Sequence, residues 1–395
     1  MLANNHGQSL ALSLAERSSK QDLAHLTRLA RQLEERGLID RKLEALPSGT
    51  ELAARAAAGG GLTRPELAVL LSWAKIALNG DLVASHVPDM PEAEGLLQSY
   101  FPQALRDGYR QEIAGHRLRR EIVATGVTNT VINTGGPAVM VRLAAETGER
   151  VAAIVEAFLA VQTIFGIPAM WAELGRLDGK VPGPLQLDLY ARLKDLAIEE
   201  TVRVLKLRVG RSFAEVTARY QPAAAEIAAN LPDILPPSER SRLEAEAGRL
   251  SSGGVPAELA TRLAGLTLMR RALPLIEHAA EGGAGVAETA RVVFSAADFL
   301  CLEELKSRAA ALPAVDDFDR QAIDHALTIL EHCNARICER MLRDTAARGV
   351  ALETWAAANA PELLAAKPLL AKVLAEPGLS ISRLGVIADS LRGVA

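Results

Sequence analysis

The sequence predicts an all-α protein built from many helices, and three observations point to that class. Alanine and leucine dominate most stretches, and both residues lose little free energy on entering a helix. Aromatic residues make up only 4% of the 395 residues, and the β-branched and aromatic enrichment typical of strands is missing. Apolar residues recur at spacings of three and four, with proline and glycine clusters between the repeats. At roughly 150 residues per domain, the length predicts two to three domains.

Charge and cysteine content exclude several classes of protein. The chain has 44 Lys and Arg against 48 Asp and Glu, so no basic excess indicates nucleic acid as a partner. Cys301, Cys333 and Cys338 are too few for a disulfide framework and fit a reducing compartment. No basic stretch followed by an apolar core opens the chain, and no window reaches about 18 uninterrupted apolar residues. We therefore expect a cytoplasmic protein that does not cross a membrane.

The first half of the chain carries the clearest helix boundaries. Gly37 and the glycines at 59–61 end early helices, and Thr63-Arg-Pro-Glu66 predicts a helix start, because Thr63 can cap the amides while Glu66 reaches back to it. The helix that follows carries Leu67, Leu70, Leu71, Ala74 and Leu78 on one stripe. In order, the predicted helices are Leu10–Arg17, Leu23–Arg36, Glu51–Ala58, Thr63–Leu78, Gln103–Val131, Glu149–Phe165 and Ala169–Arg176.

The second half continues the helical pattern. Val202–Val209 nearly alternates apolar and basic residues, as a half-buried strand would, but it has no turn signal and is predicted as helix. Breaks are predicted at 181–184, 231–237, 251–254 and 282–285, where proline or glycine clusters. The predicted helices are Leu185–Val209, Phe213–Ala229, Pro237–Leu250, Ala257–Ala280, Val286–Ala311, Asp316–Arg348, Pro361–Ala375 and Ile381–Leu391.

No motif predicts a catalytic, cofactor or metal residue in this chain. Gly283-Ala-Gly285 approaches a dinucleotide-binding turn, but it follows helical sequence and lacks the third small residue, so no Rossmann domain is expected. His325, His332, Cys333 and Cys338 match no zinc-ligand spacing. No nucleophile elbow occurs.

The most informative polar cluster is a row of uncharged side chains, which we call the polar row: Thr125, Asn129 and Asn133. At about 100° per residue the row falls close to the stripe defined by Leu118 and Ile122. Buried polar groups need partners. The alternatives are hydrogen bonding between helices or helix termination at Asn133, which are both preferred to ligand binding.

A charged turn precedes the polar row. It contains His116, Arg117, Arg119 and Arg120. The turn can pair with a neighbouring domain or hold an anion, but a solvated face with local ion pairs is the simpler interpretation. From the residues alone, a regulatory or interaction module fits better than an enzyme.

Several segments together resemble the C-terminal helical region of the large bacterial NAD-dependent glutamate dehydrogenases. The strongest match is Gly61-Leu-Thr-Arg-Pro-Glu-Leu-Ala-Val-Leu-Leu-Ser-Trp-Ala-Lys-Ile-Ala-Leu78. It continues with Tyr100-Phe-Pro102, with His116-Arg-Leu-Arg-Arg-Glu-Ile-Val-Ala-Thr125, and with Arg142-Leu-Ala-Ala-Glu-Thr-Gly148 and Ala169-Met-Trp-Ala-Glu-Leu174. The resemblance covers nearly the whole chain and is most specific up to about residue 200.

The resemblance implies a parent polypeptide that oxidises L-glutamate to 2-oxoglutarate and ammonium with NAD. Its catalytic lysine and Rossmann domain would lie upstream, so this chain would hold no cofactor and would be inactive alone. It implies residues 1–60 as a helical linker from the missing catalytic domain, 61–183 as a first helical subdomain and 184–395 as a second packed one. Expected partners are that catalytic domain, further copies of the parent and an amino-acid effector. The alternatives are a stand-alone scaffold or regulatory protein derived from the family and, less favoured, catalysis on an unrecognised helical site.

Overall fold

The fold is described by a computed structural model that covers residues 2–208, 210–314, 316–344, 349–375 and 378–392. Within these ranges the secondary structure is helical, with no strand, so the predicted all-α class is confirmed. Two short 3₁₀ helices, Val87–Asp89 and Pro91–Ala93, lie between α4 and α5. The α-helices are α1 Leu2–Ser18, α2 Leu23–Glu35, α3 Gly49–Ala57, α4 Arg64–Val83, α5 Glu94–Ser99, α6 Gln103–Gly108, α7 Arg110–Ala114, α8 Arg119–Gly135, α9 Val139–Thr147, α10 Val151–Ile164, α11 Ile167–Gly175, α12 Gly183–Leu207, α13 Phe213–Ile234, α14 Pro237–Ser252, α15 Ala257–Ala264, α16 Leu266–Met269, α17 Ala272–Gly282, α18 Val286–Phe299, α19 Leu302–Ala310, α20 Asp317–Arg343, α21 Leu352–Asn359, α22 Pro361–Ala375 and α23 Ile381–Arg392.

Packing divides the chain into two compact units, Met1–Gln221 and Pro222–Ala395. In the first unit α4 packs on α8, α10 packs on α12, and α1 contacts both α4 and α8. In the second unit α20 packs on α18 and α23. The predicted boundaries at residues 60 and 183 stay predictions, since compact packing alone does not define a domain that folds by itself.

Helix α4 begins where the sequence predicts. Thr63 precedes the helix with extended backbone angles, and the Glu66 carboxylate accepts a hydrogen bond from the Thr63 N–H at 2.7 Å. Arg55 also donates to that carboxylate, at 2.8 Å. The five residues of the predicted apolar stripe, Leu67 to Leu78, are all buried. Local capping and core burial therefore agree in fixing α4.

The predicted helix from Gln103 to Val131 is wrong as a single element. The structure divides it into α6, α7 and α8. Tyr109 separates α6 from α7 with φ −132° and ψ 40°, and Gly115 ends α7. Leu118 then lies outside the helix, directly before the first residue of α8. The continuous helical pattern concealed these breaks because helical and turn residues there share the same apolar spacing.

Two further predicted helices are divided in the second unit. Ala257–Ala280 is divided into α15, α16 and α17, and Val286–Ala311 into α18 and α19. Cys301 separates the latter pair with φ +50°, a left-handed conformation that non-glycine residues rarely adopt. Of the ambiguous segment 202–209, residues up to Leu207 are helical and Val209 lies outside the described residues.

No single helix in the described ranges is long and apolar enough to span a membrane. Helices α10 and α11 meet the length and composition criteria only as a pair, and they are bent by 70°. Most residues of α10 are buried in the first unit. Burial in a protein core accounts for their apolar character.

Candidate functional site

The interface between α4 and α8 joins two polar pairs. Nζ of Lys75 donates a hydrogen bond to Oδ1 of Asn129 at 2.9 Å. One turn later on α4 and one turn earlier on α8, Nδ2 of Asn79 donates to Oγ1 of Thr125 at 3.2 Å. Thr125 also donates to the Glu121 carbonyl at 2.7 Å. Because both pairs are spaced by four residues, they fix one register of α4 against α8.

Lys75 is the buried member of this interface, with only 9% of its surface exposed. Burial disfavours the charged ammonium and lowers the pKa of Lys75 to about 8. The Asn129 carbonyl oxygen stabilises the charge that remains near neutral pH. The pair is thus a charge-assisted hydrogen bond in a largely apolar setting.

Asn133 continues the polar row toward α1. A Cβ atom at Gly7 would lie 2.8 Å from Nδ2 of Asn133, so the glycine allows α1 to approach α8 closely here. The backbone of α1 at Gly7 and side chains of α4 therefore meet one stripe of α8. This stripe is the polar row itself: Thr125, Asn129 and Asn133.

The apolar stripe proposed beside the polar row is wrong in one respect. Leu118 is 46% exposed and Ile122 is half-buried, so they do not define the buried face of α8. The reason is that Leu118 precedes the helix, so counting 100° per residue from Leu118 does not give the position of residues around α8. The buried face is formed by Val123, Ala124, Val127, Thr128, Val131 and Ile132.

The two arginines at the start of α8 form a second polar cluster. Arg119 donates to Oδ1 of Asp89 at 2.6 Å, and Arg120 pairs with Oδ2 of the same carboxylate. Arg120 also donates to the carbonyls of Val83 at 2.8 Å and Ser85 at 2.6 Å. The Arg120 guanidinium, followed by that of Arg119, lowers the pKa of the Asp89 carboxyl group below its usual value. These contacts join the C-terminal end of α4 to the N-terminal end of α8.

His116 and Arg117 lie outside that cluster. Nδ1 of His116 accepts a hydrogen bond from the Leu118 N–H at 3.1 Å, and its ring meets the Phe101 ring edge-on at a centroid distance of 5.6 Å. Arg117 is exposed. Large apolar side chains are exposed in the same stretch of the chain, and we call this set the aromatic patch: Tyr100, Leu105, Tyr109 and Leu118.

Three residues of the site were not predicted from the sequence: Lys75, Asn79 and Asp89. Lys75 follows the apolar stripe of α4, four residues after Leu71 and three before Leu78, and this placement of a lysine was a usable signal. Asp89 had none, because it reaches Arg119 and Arg120 only through a 3₁₀ turn. The structure brings Thr125 and Asn129 into one interface and gathers Arg119 with Arg120 at Asp89. It does not gather the arginines with the polar row, and inter-domain roles for all seven predicted residues stay predictions.

Comparison with known proteins shows the family to which this sequence is similar. The family model described as "Glutamate dehydrogenase, C-terminal" matches residues 59–393. A relative from Halomonas elongata, named NAD-specific glutamate dehydrogenase, is 37% identical over 279 residues, which are 71% of this chain and 17% of the relative. Proteins of the same name from Pseudomonas aeruginosa and Mycobacterium tuberculosis are 34% identical over 82% of this chain and 32% identical over 80% of it. The matches cover 20% and 19% of those two relatives. The chain therefore spans about a fifth of the length of the curated relatives it matches.

Proposed function

Since the chain belongs to the glutamate dehydrogenase C-terminal family, we propose that it is the helical C-terminal module of a large NAD-dependent glutamate dehydrogenase. The parent enzyme would convert L-glutamate, NAD and water into 2-oxoglutarate, ammonium and NADH. The observation that carries this proposal is the family match over residues 59–393, together with relatives about four times as long. The module itself would be structural or regulatory, and NAD would bind in the upstream part of the polypeptide.

The polar pairs between α4 and α8 favour a structural role. Lys75 with Asn129 and Asn79 with Thr125 use their hydrogen-bonding groups on one another. The buried Lys75 ammonium favours one register, because a shift of α4 against α8 would separate it from Asn129, whereas Asn79 and Thr125 pair at the exposed edge of the interface. A module held in one register can present a fixed surface to the catalytic part.

The aromatic patch is the surface that we propose for this contact. Four of the large apolar side chains exposed on the described residues belong to it, within a stretch of 19 residues from Tyr100 to Leu118. Exposed Tyr and Leu side chains beside Arg110 and Arg117 have the composition of an interface core with a charged rim. The partner would be the rest of the parent polypeptide, which is about three-quarters of its length. We further propose a cytoplasmic homo-oligomer that responds to an amino-acid effector.

A chimera tests the proposed function. The matched C-terminal region of the Pseudomonas aeruginosa relative is replaced by this chain, and glutamate-dependent NADH formation is measured beside a version with the region deleted. We expect activity and assembly in the chimera, and loss of both in the deletion. Full activity and unchanged assembly of the deletion would contradict a structural or regulatory role.

Two substitutions in the chimera test the aromatic patch. Tyr109→Ser together with Leu118→Ser removes apolar surface from the patch, and we expect assembly or activity to fall. Leu43→Ser is the control, because Leu43 is an exposed leucine outside the patch. If the patch and control substitutions lowered assembly and activity equally, the aromatic patch would not be the surface that contacts the rest of the parent enzyme.

The second candidate is a stand-alone scaffold or regulatory protein derived from this family. It accounts equally well for the helical fold. The two candidates differ in the size of the natural gene product.

A further inference from the structure

The first unit contains a cavity that the proposed function does not use. Its volume is about 860 Å³, within the range of small-molecule sites. Helices α1, α8, α10, α11, α12 and α13 all contribute to its wall. Apolar parts of the wall come from Met90, Leu96, Leu159, Trp171 and Phe213.

Gln162 carries an unpaired hydrogen-bond donor in this wall. Gln162 on α10 is only 4% exposed, and its Nε2 donor is buried with no hydrogen bond to the described residues. Buried amide donors are normally paired, because an unpaired one loses its hydration without compensation. An acceptor inside the cavity would supply the missing bond.

Two neighbouring polar groups already have partners. Asn129 accepts from Lys75, and the Tyr190 hydroxyl donates to the Trp171 carbonyl at 3.4 Å. Burial raises the pKa of Tyr190 and keeps its hydroxyl protonated. The Trp171 and Tyr190 rings lie 4.7 Å apart between centroids and form a flat aromatic part of the wall.

The charges around the cavity disfavour an anion. Its described lining contains no lysine or arginine, and Lys75 reaches it only through Asn129. Glu156 lies in the wall and contacts His86 at 2.6 Å, while His6 contacts Asp178 at 3.5 Å. Carboxylates and phosphates are usually held by arginine or lysine. A negatively charged ligand would meet the carboxylate of Glu156 without such a group.

We propose that this cavity binds an uncharged, largely apolar small molecule that presents a hydrogen-bond acceptor to Nε2 of Gln162. The volume sets the size of the ligand, the aromatic and aliphatic wall sets its apolar character, and the amide sets the position of its acceptor. A polypeptide segment fits less well, because each residue would bring an N–H group that also requires an acceptor.

The test uses prodan, an uncharged naphthalene ketone whose emission shifts to the blue in apolar surroundings, titrated into the full chain. Saturable binding is expected in the wild type. Gln162→Leu keeps a similar volume and removes the amide, so we expect about five- to tenfold weaker binding, as for the loss of one hydrogen bond. The proposal would be overturned if the wild type did not bind prodan. It would also be overturned if Gln162→Leu bound prodan as tightly as the wild type or more tightly.

Thr128→Val is the matched control. Its hydroxyl is likewise buried without a partner, but Thr128 is not part of the cavity wall. We expect this variant to bind prodan as the wild type does. Thermal unfolding of both variants shows whether they fold, and neither substitution removes an existing hydrogen bond. If Thr128→Val weakened prodan binding as much as Gln162→Leu does, a role specific to Gln162 would be contradicted.

Two further measurements test the class of occupant. Anilinonaphthalene sulfonate is a similarly sized anion, and we expect it to bind at least about tenfold more weakly than prodan. Ala172→Trp places a large ring in the cavity wall and should abolish prodan binding. Tighter binding of the anion would overturn the predicted charge preference. Unchanged binding by Ala172→Trp would show that prodan binds elsewhere and would contradict the proposal.

Discussion

Lys75 on α4 and Asn129 on α8 are joined by a 2.9 Å hydrogen bond between two helices that are 54 residues apart at this point. The lysine is buried, and the amide oxygen stabilises its charge. Asn79 and Thr125 repeat the same connection four residues later on α4 and four residues earlier on α8. The first unit therefore fixes its two central helices through side-chain polarity as well as through apolar packing.

Removing the acceptor from this pair should destabilise the chain. Asn129→Leu leaves the buried ammonium of Lys75 without this hydrogen bond, and we expect the free energy of unfolding to fall by about 1–3 kcal/mol. Chemical denaturation measures the change. In a Lys75→Met background the same substitution should cost less, since no charge then remains to be satisfied. An equal cost in both backgrounds would show that the pair is not coupled.

The lowered pKa of Lys75 predicts how stability changes with pH. The unfolded lysine keeps its proton up to about pH 10.4, whereas the folded one loses it near pH 8. Between these values the unfolded state binds more protons, so stability rises with pH, by up to about 3 kcal/mol. Lys75→Met should remove this rise in denaturation series from pH 7 to 10.5. The exposed-lysine variant Lys20→Met serves as the control and should retain it.

Ser19 connects the end of α1 to the residue that precedes Thr63. Its Oγ donates to the Leu62 carbonyl at 3.1 Å and accepts from the Leu62 N–H at 2.7 Å. Ser19→Ala leaves both buried backbone groups unpaired, and we expect a loss of about 1–3 kcal/mol in the free energy of unfolding. Ser72→Ala, on the exposed face of α4, should change it by less than about 0.5 kcal/mol. Comparable losses in the two variants would contradict the importance of the Ser19 contact.

Asp89 should contribute to stability only while it is ionised. Because Arg120 and Arg119 lower its pKa in the folded state, its contribution is present above the unfolded pKa and is lost as pH falls through the folded value. Asp89→Asn should therefore lower Tm at neutral pH, and the difference from wild type should shrink in acid. Asp389→Asn, at an exposed carboxylate of α23, is the control. A difference that stays constant down to low pH would contradict this assignment of charge.

The sequence predicted those features that depend on neighbours along the chain. Thr63 and Glu66 lie three residues apart, so the start of α4 could be predicted from capping chemistry alone. The break at Cys301 could not be predicted, because neither glycine nor proline marks its left-handed backbone. Packing between distant helices gives Asn129 a hydrogen-bond partner and leaves Nε2 of Gln162 without one. Periodicity indicates that a face is buried but not which helix covers it.

The central claim is that this chain is one part of a large dehydrogenase polypeptide. An immunoblot of lysate from the source organism, with antibody raised against the chain, measures the size of the natural gene product directly. We expect a band far above 42.0 kDa. A single band at 42.0 kDa would contradict this origin and would make the chain an independent helical protein derived from the family.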